Sequence, residues 1–227
     1  GFLLAHSPEM KSIIASVDNK VISIDPITWS VSWTQTLTEP VRGPAVIAEQ
    51  AIFITTLAGK LIKLEGRKGK VEWEIDLERP PASSPSYLPI LQRLAFLDSG
   101  GSLVTIEAKT GKLNWRLPVE NRNPLVETWS ARLKGNHIEE FGMDWLHKGW
   151  TIWTPCYERK FCIYTPLKGQ QIVRVDLSGA PLALPQASDR RLLFFTQMKG
   201  GKYAVSQVLE QSEIKRLQAE SKARSGD

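Results

Sequence analysis

The chain has 227 residues but only two cysteines, three histidines and three methionines, and it has no long apolar segment. No apolar run approaches the roughly 20 residues that a membrane helix needs, so we expect no direct membrane span. The opening GFLLAHS has only four consecutive apolar residues, too few for the core of a signal peptide.

Catalytic and metal-binding motifs are also missing. The chain contains no Gly-x-Ser-x-Gly elbow, no phosphate-binding glycine loop and no HExxH, and its histidines show neither HxH nor HxxxH spacing. No turn carries the dense set of acidic residues that a calcium loop requires. We therefore predict that the protein is not an enzyme and uses neither a metal nor a cofactor.

The composition is that of an ordinary globular protein, with 23% charged and 42% hydrophobic residues. The formal net charge of +5 is spread over the chain, without the combination of basic and aromatic residues typical of a nucleic-acid surface. We therefore expect a solvated basic surface and no nucleic-acid partner.

The dominant feature is a β-hairpin that the sequence repeats. Its second strands are VISID, LIKLE, LVTIE and FCIYT, ending at Asp25, Glu65, Glu107 and Thr165. Residues 18–19, 58–59, 100–101 and 158–159 precede these strands as predicted two-residue turns, and Asn, Asp and Gly suit such turns. Because the acidic residues recur at the repeat spacing, we interpret them as turn-forming and not as catalytic.

A tryptophan ends three of the repeats: Trp33, Trp73 and Trp115. The spacings are 40 and 42 residues, and in the fourth copy Val173 stands at this position. A period near 40 residues made of strands is typical of a β-propeller with one four-stranded blade per repeat. We expect the three tryptophans to be largely buried between blades, as structural residues of the repeat.

The repeats predict an all-β propeller over 1–208, with blades at about 1–37, 41–77, 82–119, 124–177 and 180–208. The fifth unit lacks the final Trp segment. Two architectures fit: a five-bladed ring in which FLLA (2–5) completes the last blade as its fourth strand, or part of a larger propeller. Residues 209–227 are rich in helix formers and predict a short helical, partly disordered tail.

Segments such as GKLIKLEGRKGKVEW and GSLVTIEAKTGKLNW resemble the repeat of the PQQ-like, or quinoprotein-type, β-propellers. The resemblance covers residues 1–207. It implies either a quinone-dependent dehydrogenase or a non-enzymatic scaffold like the lipoprotein that helps to assemble the bacterial outer membrane. The dehydrogenases typically carry adjacent cysteines and a calcium site, which this chain lacks, so the resemblance favours the scaffold.

The fourth repeat departs from the others. From Trp115 to Val173 the chain runs 58 residues, and the extra length includes Trp129, Trp145, Trp150 and Trp153. Insertions in repeat proteins emerge as loops on one face, where binding sites are common. We predict a partner-binding surface there, suited to an acidic and apolar partner, formed by Phe141, Met143, Trp145, His147, Arg132 and Lys148. The alternative is structural: Trp150 and Trp153 are ordinary strand residues, and the insertion covers an edge strand or the channel.

The two cysteines, Cys156 and Cys162, lie in the fourth hairpin. A three-residue turn would let them bond, whereas the two-residue turn predicted for the other copies would place Cys156 opposite Phe161 without a bridge. Similarity between the copies favours the second arrangement.

These observations predict a non-enzymatic scaffold that binds another protein in the periplasm or cell envelope of a bacterium, with the cytoplasm as the alternative location. Two other functions remain open: a ligand- or stress-sensing ectodomain of a larger membrane protein, and a degenerate quinoprotein oxidoreductase. Fold similarity alone does not decide among them.

Overall fold

The structure is a computed structural model that describes residues 3–7, 10–82, 84–119, 129–132, 150–156, 159–182, 186–188 and 191–209. The chain divides into two compact units, Gly1–Thr128 and Trp129–Asp227. The predicted C-terminal helix lies outside the described residues.

The first unit contains three four-stranded antiparallel sheets in which each strand pairs with the next along the chain. A 3-10 turn, Pro89–Leu91, connects the first two strands of the third sheet. The strands are β1 Leu3–Ser7, β2 Ser12–Val17, β3 Lys20–Ile24 and β4 Val31–Thr36; β5 Val41–Ala48, β6 Ala51–Thr56, β7 Lys60–Glu65 and β8 Val71–Asp76; and β9 Ser86–Leu88, β10 Arg93–Leu97, β11 Ser102–Glu107 and β12 Leu113–Pro118.

The second unit contains two sheets. The fourth sheet repeats the order of the first three, whereas in the fifth two short strands pair end to end along β19, and β20 pairs with its other side. The strands are β13 Trp129–Arg132, β14 Trp150–Cys156, β15 Lys160–Tyr164 and β16 Gln171–Asp176; and β17 Ala180–Pro181, β18 Gln186–Ser188, β19 Arg191–Gln197 and β20 Tyr203–Leu209. No described residue forms a strand beyond β20.

The first strand is not where the five-bladed alternative placed it. Leu3–Ser7 pairs with Ser12–Val17, so the FLLA segment is the inner strand of the first sheet and does not complete the last one. The short connection between these strands favours their local pairing, because joining distant parts of a chain costs more loop entropy.

The core lies between stacked sheets. Strand β6 is buried along its whole length because it has a neighbouring sheet on each side. Its Ile52 and Ile54 pack with Ile14 and Val21 of the first sheet. Its Ala51 and Phe53 belong to the cluster shared with the third sheet. An almost continuous apolar strand is therefore required here, where a half-exposed strand would alternate with polar residues.

The hairpin turns differ from the prediction in length. Only the first hairpin has the predicted two-residue turn, at Asp18-Asn19 between Val17 and Lys20. In the second, the strands are separated by 57–59, and in the third, Asp98 bonds across to Ser102. Gly59 and Gly101, the last residues of these loops, have φ of 99° and 76°. A left-handed residue at that position is typical of three-residue hairpin loops.

Candidate functional site

The recurring tryptophans join each sheet to the next one. Trp33 donates its indole N–H to the carbonyl of Gly66 at 3.2 Å, and Trp73 donates to the carbonyl of Ala108 at 3.3 Å. Trp33, Trp73 and Trp115 are partly buried, and Trp33 and Trp73 pack against the core clusters that lie between neighbouring sheets. They lie on outer strands, where a ring can cover the neighbouring turn with one face only.

The strand register confirms that Val173 replaces the tryptophan in the fourth sheet. Each of the four complete sheets has a register shift at the same point, directly after the third-strand residue that pairs with the tryptophan or with Val173. The pairs are Ser23 with Trp33, Lys63 with Trp73, Thr105 with Trp115 and Ile163 with Val173.

The acidic residues of the repeat bond within their own turns. Asp25 Oδ1 accepts the backbone N–H groups of Ile27 and Thr28 at 2.7 and 3.0 Å, and these bonds lower the pKa of its carboxyl group. Glu65 accepts the N–H groups of Arg67 and Lys68 at 3.1 and 2.7 Å. Glu107 accepts the hydroxyl of Thr110, a side-chain bond in the corresponding turn. These carboxylates therefore organise turns, as predicted.

The predicted binding surface is only partly described. Phe141, Met143, Trp145, His147 and Lys148 lie outside the described residues, while Arg132 ends strand β13 and pairs with Trp150 at the start of β14. Trp129 pairs with Trp153 in the same ladder, which makes Trp150 and Trp153 strand residues. The register therefore places the two ends of segment 133–149 side by side, as the connection between the first two strands of the fourth sheet.

Two of the corresponding connections in the first unit, those between β5 and β6 and between β9 and β10, help to line a cleft of about 280 Å³. It is formed by the turn after β5, strands β6 and β7, the residues around Pro89–Leu91 and the turn after β11. Its lining residues are Ala48, Glu49, Ala51, Phe53, Lys63, Tyr87, Gln92, Ala108 and Lys109. Sequence reasoning did not find this cleft, because its residues come from four separate segments of the chain.

Glu49 is the polar centre of the cleft. Gln92 donates to its carboxylate at 3.2 Å, and Tyr87 bonds to it as well. Burial, followed by the bond to Glu49 and the charge of that carboxylate, raises the pKa of Tyr87. The Tyr87 ring stacks on Phe53, with ring centroids 6.3 Å apart and planes at 17°. The phenol is therefore held neutral as a hydrogen-bond donor.

The cleft combines hydrogen-bonding groups with two cations. Lys63 pairs with Glu72 of the outer strand β8 at 2.8 Å, and Lys109 also lines the cleft. Among the described residues that line the cleft, none is a serine, cysteine or histidine. No group of three metal-ligating side chains occurs in the part of the chain that the structure describes. The arrangement of these side chains is suited to binding a polar group.

A buried ion pair lies in the third sheet, and the sequence analysis did not predict it. Asp98 is 1% exposed, and its Oδ1 accepts the N–H groups of Gly100 and Ser102, each at 2.9 Å. Arg116 Nε lies 3.4 Å from its Oδ2, and Arg116 also contacts Glu78. Because the carboxylate holds its own hairpin loop, the pair is structural.

Cys156 and Cys162 form a disulfide, contrary to the arrangement that the repeat favoured. Cys156 pairs with Lys160, so the fourth hairpin has neither of the two registers considered from the sequence. The cysteines are diagonal neighbours with Cα atoms 5.8 Å apart, within bonding range. Both are fully buried.

Comparison with known proteins identifies the family. Residues 2–138 match the family described as outer membrane protein assembly factor BamB. No significant match is found among curated proteins. Within the described ranges, no helix has the length and apolarity of a membrane span.

Solved structures with the same fold are distant in sequence. BamB from Moraxella catarrhalis is 15% identical, covering 90% of this chain and 60% of that one, with a TM-score of 0.62. BBS1N, from a complex with ARL6DN soaked with lead, is 12% identical, covering 93% and 62%, also with a TM-score of 0.62. The predicted β-propeller with PQQ-like repeats is thereby confirmed, and the chain spans about 60% of the length of these two structures.

Proposed function

The chain belongs to the family of the outer membrane protein assembly factor BamB, and from this premise we propose that it is a non-enzymatic scaffold that binds another protein in a bacterial cell envelope. One observation carries the proposal. Segment 133–149 replaces a connection that in the second sheet consists of Glu49 and Gln50 alone. A repeat protein whose other connections are short has no folding requirement for such a segment.

The properties of that segment fit protein binding. It contains Phe141, Met143, Trp145 and His147, and the basic residues Lys134 and Lys148 add charge. Aromatic and methionine side chains are enriched in interface cores. With Arg132 at the start of the segment, its basic residues suit acidic groups on a partner and its aromatic residues suit apolar ones. Glu139, Glu140 and Asp144 leave the segment without a net positive charge.

The recurring polar residues support a non-enzymatic role. Asp25, Glu65 and Glu107 bond to their own turns, so the regularly spaced carboxylates do not converge as a catalytic pair. One of the structural neighbours was crystallised with a protein partner, ARL6DN. A propeller of this type is therefore compatible with a purely protein-binding role.

The test replaces Trp145 and His147 together by alanine in the full chain. We expect the variant to keep its melting temperature and to lose the proteins that the parent captures from envelope extract of the source organism, as quantified by mass spectrometry. Trp29→Ala is the control, since it removes an exposed tryptophan from the first sheet. A double variant that melts several degrees lower and captures the same proteins would show that the segment is structural.

A separate measurement tests for an enzyme. We expect pyrroloquinoline quinone with calcium to leave both the absorbance of the quinone and the melting temperature of the protein unchanged. A rise in melting temperature with quinone concentration would indicate binding to the folded chain and would contradict a scaffold without a cofactor.

A further inference from the structure

In the outer strands of the four complete sheets, the equivalent residues form hydrogen bonds to the preceding strand, and the residues between them direct their backbone groups to the other edge. The residue after each outer strand donates to the hairpin loop of the same sheet: Leu37 to Asn19, Leu77 to Gly59, Val119 to Gly101 and Leu177 to Arg159. Hydrogen-bonded and non-bonded pairs alternate in an antiparallel ladder. The backbone groups directed to the free edge are therefore those of Thr34 and Thr36, and of their counterparts in β8, β12 and β16.

Three of these edges carry charge or proline at the two positions. The pairs are Glu74 and Asp76, Arg116 and Pro118, and Arg174 and Asp176. Charged side chains and proline on an edge strand are common protection against pairing with another strand. Strand β4 has exposed threonines at both positions and no charged residue between Val31 and Thr36. Among the outer strands of the four complete sheets, β4 alone lacks this protection.

We propose that β4 pairs edge to edge with β4 of a second copy of this chain, antiparallel about a twofold axis at Thr34. In this register Thr34 faces its own counterpart, and Ser32 faces Thr36 of the other copy. Every facing pair is uncharged. Threonine and serine side chains that face each other across an antiparallel strand pair can hydrogen-bond and stabilise the pairing. The two four-stranded sheets would become one of eight strands.

The absence of like-charge pairs distinguishes β4 from the outer strands of the other three complete sheets. The same twofold pairing in β8 would place Glu74 opposite Glu74 and Glu72 opposite Asp76. In β12 it would place Arg116 opposite Arg116, and in β16 Arg174 opposite Arg174. Like charges directly opposite each other destabilise a ladder. Self-pairing is therefore electrostatically permitted at the first sheet and opposed at the other three.

Exposed apolar side chains occur at the beginning of the same strand. Ile27, Trp29 and Val31 are 85%, 72% and 60% exposed. The twofold axis would place these three side chains of one copy at one end of the paired strands and those of the other copy at the other end. There they would bury apolar area in the dimer, in addition to the backbone hydrogen bonds between the strands. Contacts of this limited size are typical of weak, concentration-dependent dimers. The inference does not depend on the proposed function of the fourth repeat.

Sedimentation velocity tests the dimer over a concentration series of the purified full chain. We expect the parent to shift from monomer to dimer as concentration rises, and Thr34→Lys and Thr34→Glu each to stay monomeric. Mixing these two variants should restore the dimer, because a lysine then faces a glutamate at the axis. Gln170→Lys adds the same charge to an exposed turn of the fourth sheet and should dimerise like the parent.

Three results would overturn the proposal. One is a parent that remains monomeric over the whole series, including the case in which this edge instead binds a strand of another protein. Another is Thr34→Lys dimerising as strongly as the parent. The third is a mixture of the two charged variants that stays monomeric, which would exclude the register through Thr34. Thermal melting of each variant verifies that the substitutions at this exposed position leave the fold intact.

Discussion

The ring of Trp33 lies directly on the backbone at Gly69. A Cβ atom placed on Gly69 would be 2.4 Å from Trp33 Cε3, and the φ of this glycine is 68°. The same relationship recurs one sheet later, where a Cβ on Gly111 would be 3.3 Å from Trp73 Cε3. The turn glycine therefore leaves room for the tryptophan of the preceding sheet. The recurring glycine and the recurring tryptophan form one contact between neighbouring sheets.

Gly69→Ala should destabilise the first unit by two separate effects. A left-handed conformation costs an L-residue about 1–2 kcal/mol, and overpacking against the indole adds about 1–3 kcal/mol. Gly200→Ala is the matched control, since Gly200 has φ of 84° and nothing within 4 Å of the added Cβ. Urea unfolding should show a larger loss for Gly69→Ala. Equal losses would mean that the tryptophan contact does not restrict this position.

Trp29→Gly should stabilise the chain. Trp29 occupies the turn position of Gly69, Gly111 and Gly169, since its N–H bonds to the Asp25 carbonyl as theirs bond to the corresponding residues. Its φ is 57°, which glycine adopts without strain, and the side chain is 72% exposed. We expect a gain of about 1 kcal/mol in the free energy of unfolding. A loss would indicate that the exposed ring contributes packing.

Removing the disulfide should destabilise the fourth hairpin. Replacing Cys156 and Cys162 by alanine should cost about 2 kcal/mol, the chain-entropy value for so short a loop. Hydrogen exchange of the amides in β14 and β15 is the measurement, and these amides should exchange faster in the double variant. Reductant should accelerate exchange in the parent and leave the double variant unchanged. A parent insensitive to reductant would contradict a contribution of this bond to stability.

The raised pKa of Tyr87 predicts a loss of stability at high pH. In the unfolded chain the phenol ionises near its usual pKa of about 10, whereas in the folded chain it keeps its proton. The folded state then binds more protons, so the free energy of unfolding falls as the pH rises above about 10. Tyr87→Phe should make this decline shallower in denaturant titrations at several pH values. Tyr203→Phe, at a 74% exposed site, should decline like the parent.

Much of the architecture is predictable because it is local. A hairpin needs only alternating apolar residues and a turn of suitable chemistry within about a dozen residues. Because the hairpin recurs at a regular period, each repeat can be assigned to one blade. The position of Val173 in the tryptophan slot follows in the same way. So does the role of Asp25, Glu65 and Glu107, whose partners are two or three residues away in the chain.

The errors of the sequence prediction have two sources. A loop longer by one residue changed the register of the fourth hairpin, and with it the pairing of Cys156. The first strand joined the nearest hairpin, although its composition would also have suited the last sheet. The sequence also contains a signal that the prediction did not use: Trp29 stands at the turn position where the aligned copies have glycine, which indicates a left-handed residue at that position.

The sequence by itself determined the repeat, the four-stranded sheets and the departure of the fourth repeat, since these depend on period, turn residues and length. Only the tertiary structure decided the contacts between segments far apart in the chain. These are Trp33 on Gly69, the bond between Gln92 and Glu49, and the ion pair of Arg116 with Asp98. Such contacts arise from the stacking of sheets and from exact strand register, and neither of these is encoded by the spacing of residues within one hairpin.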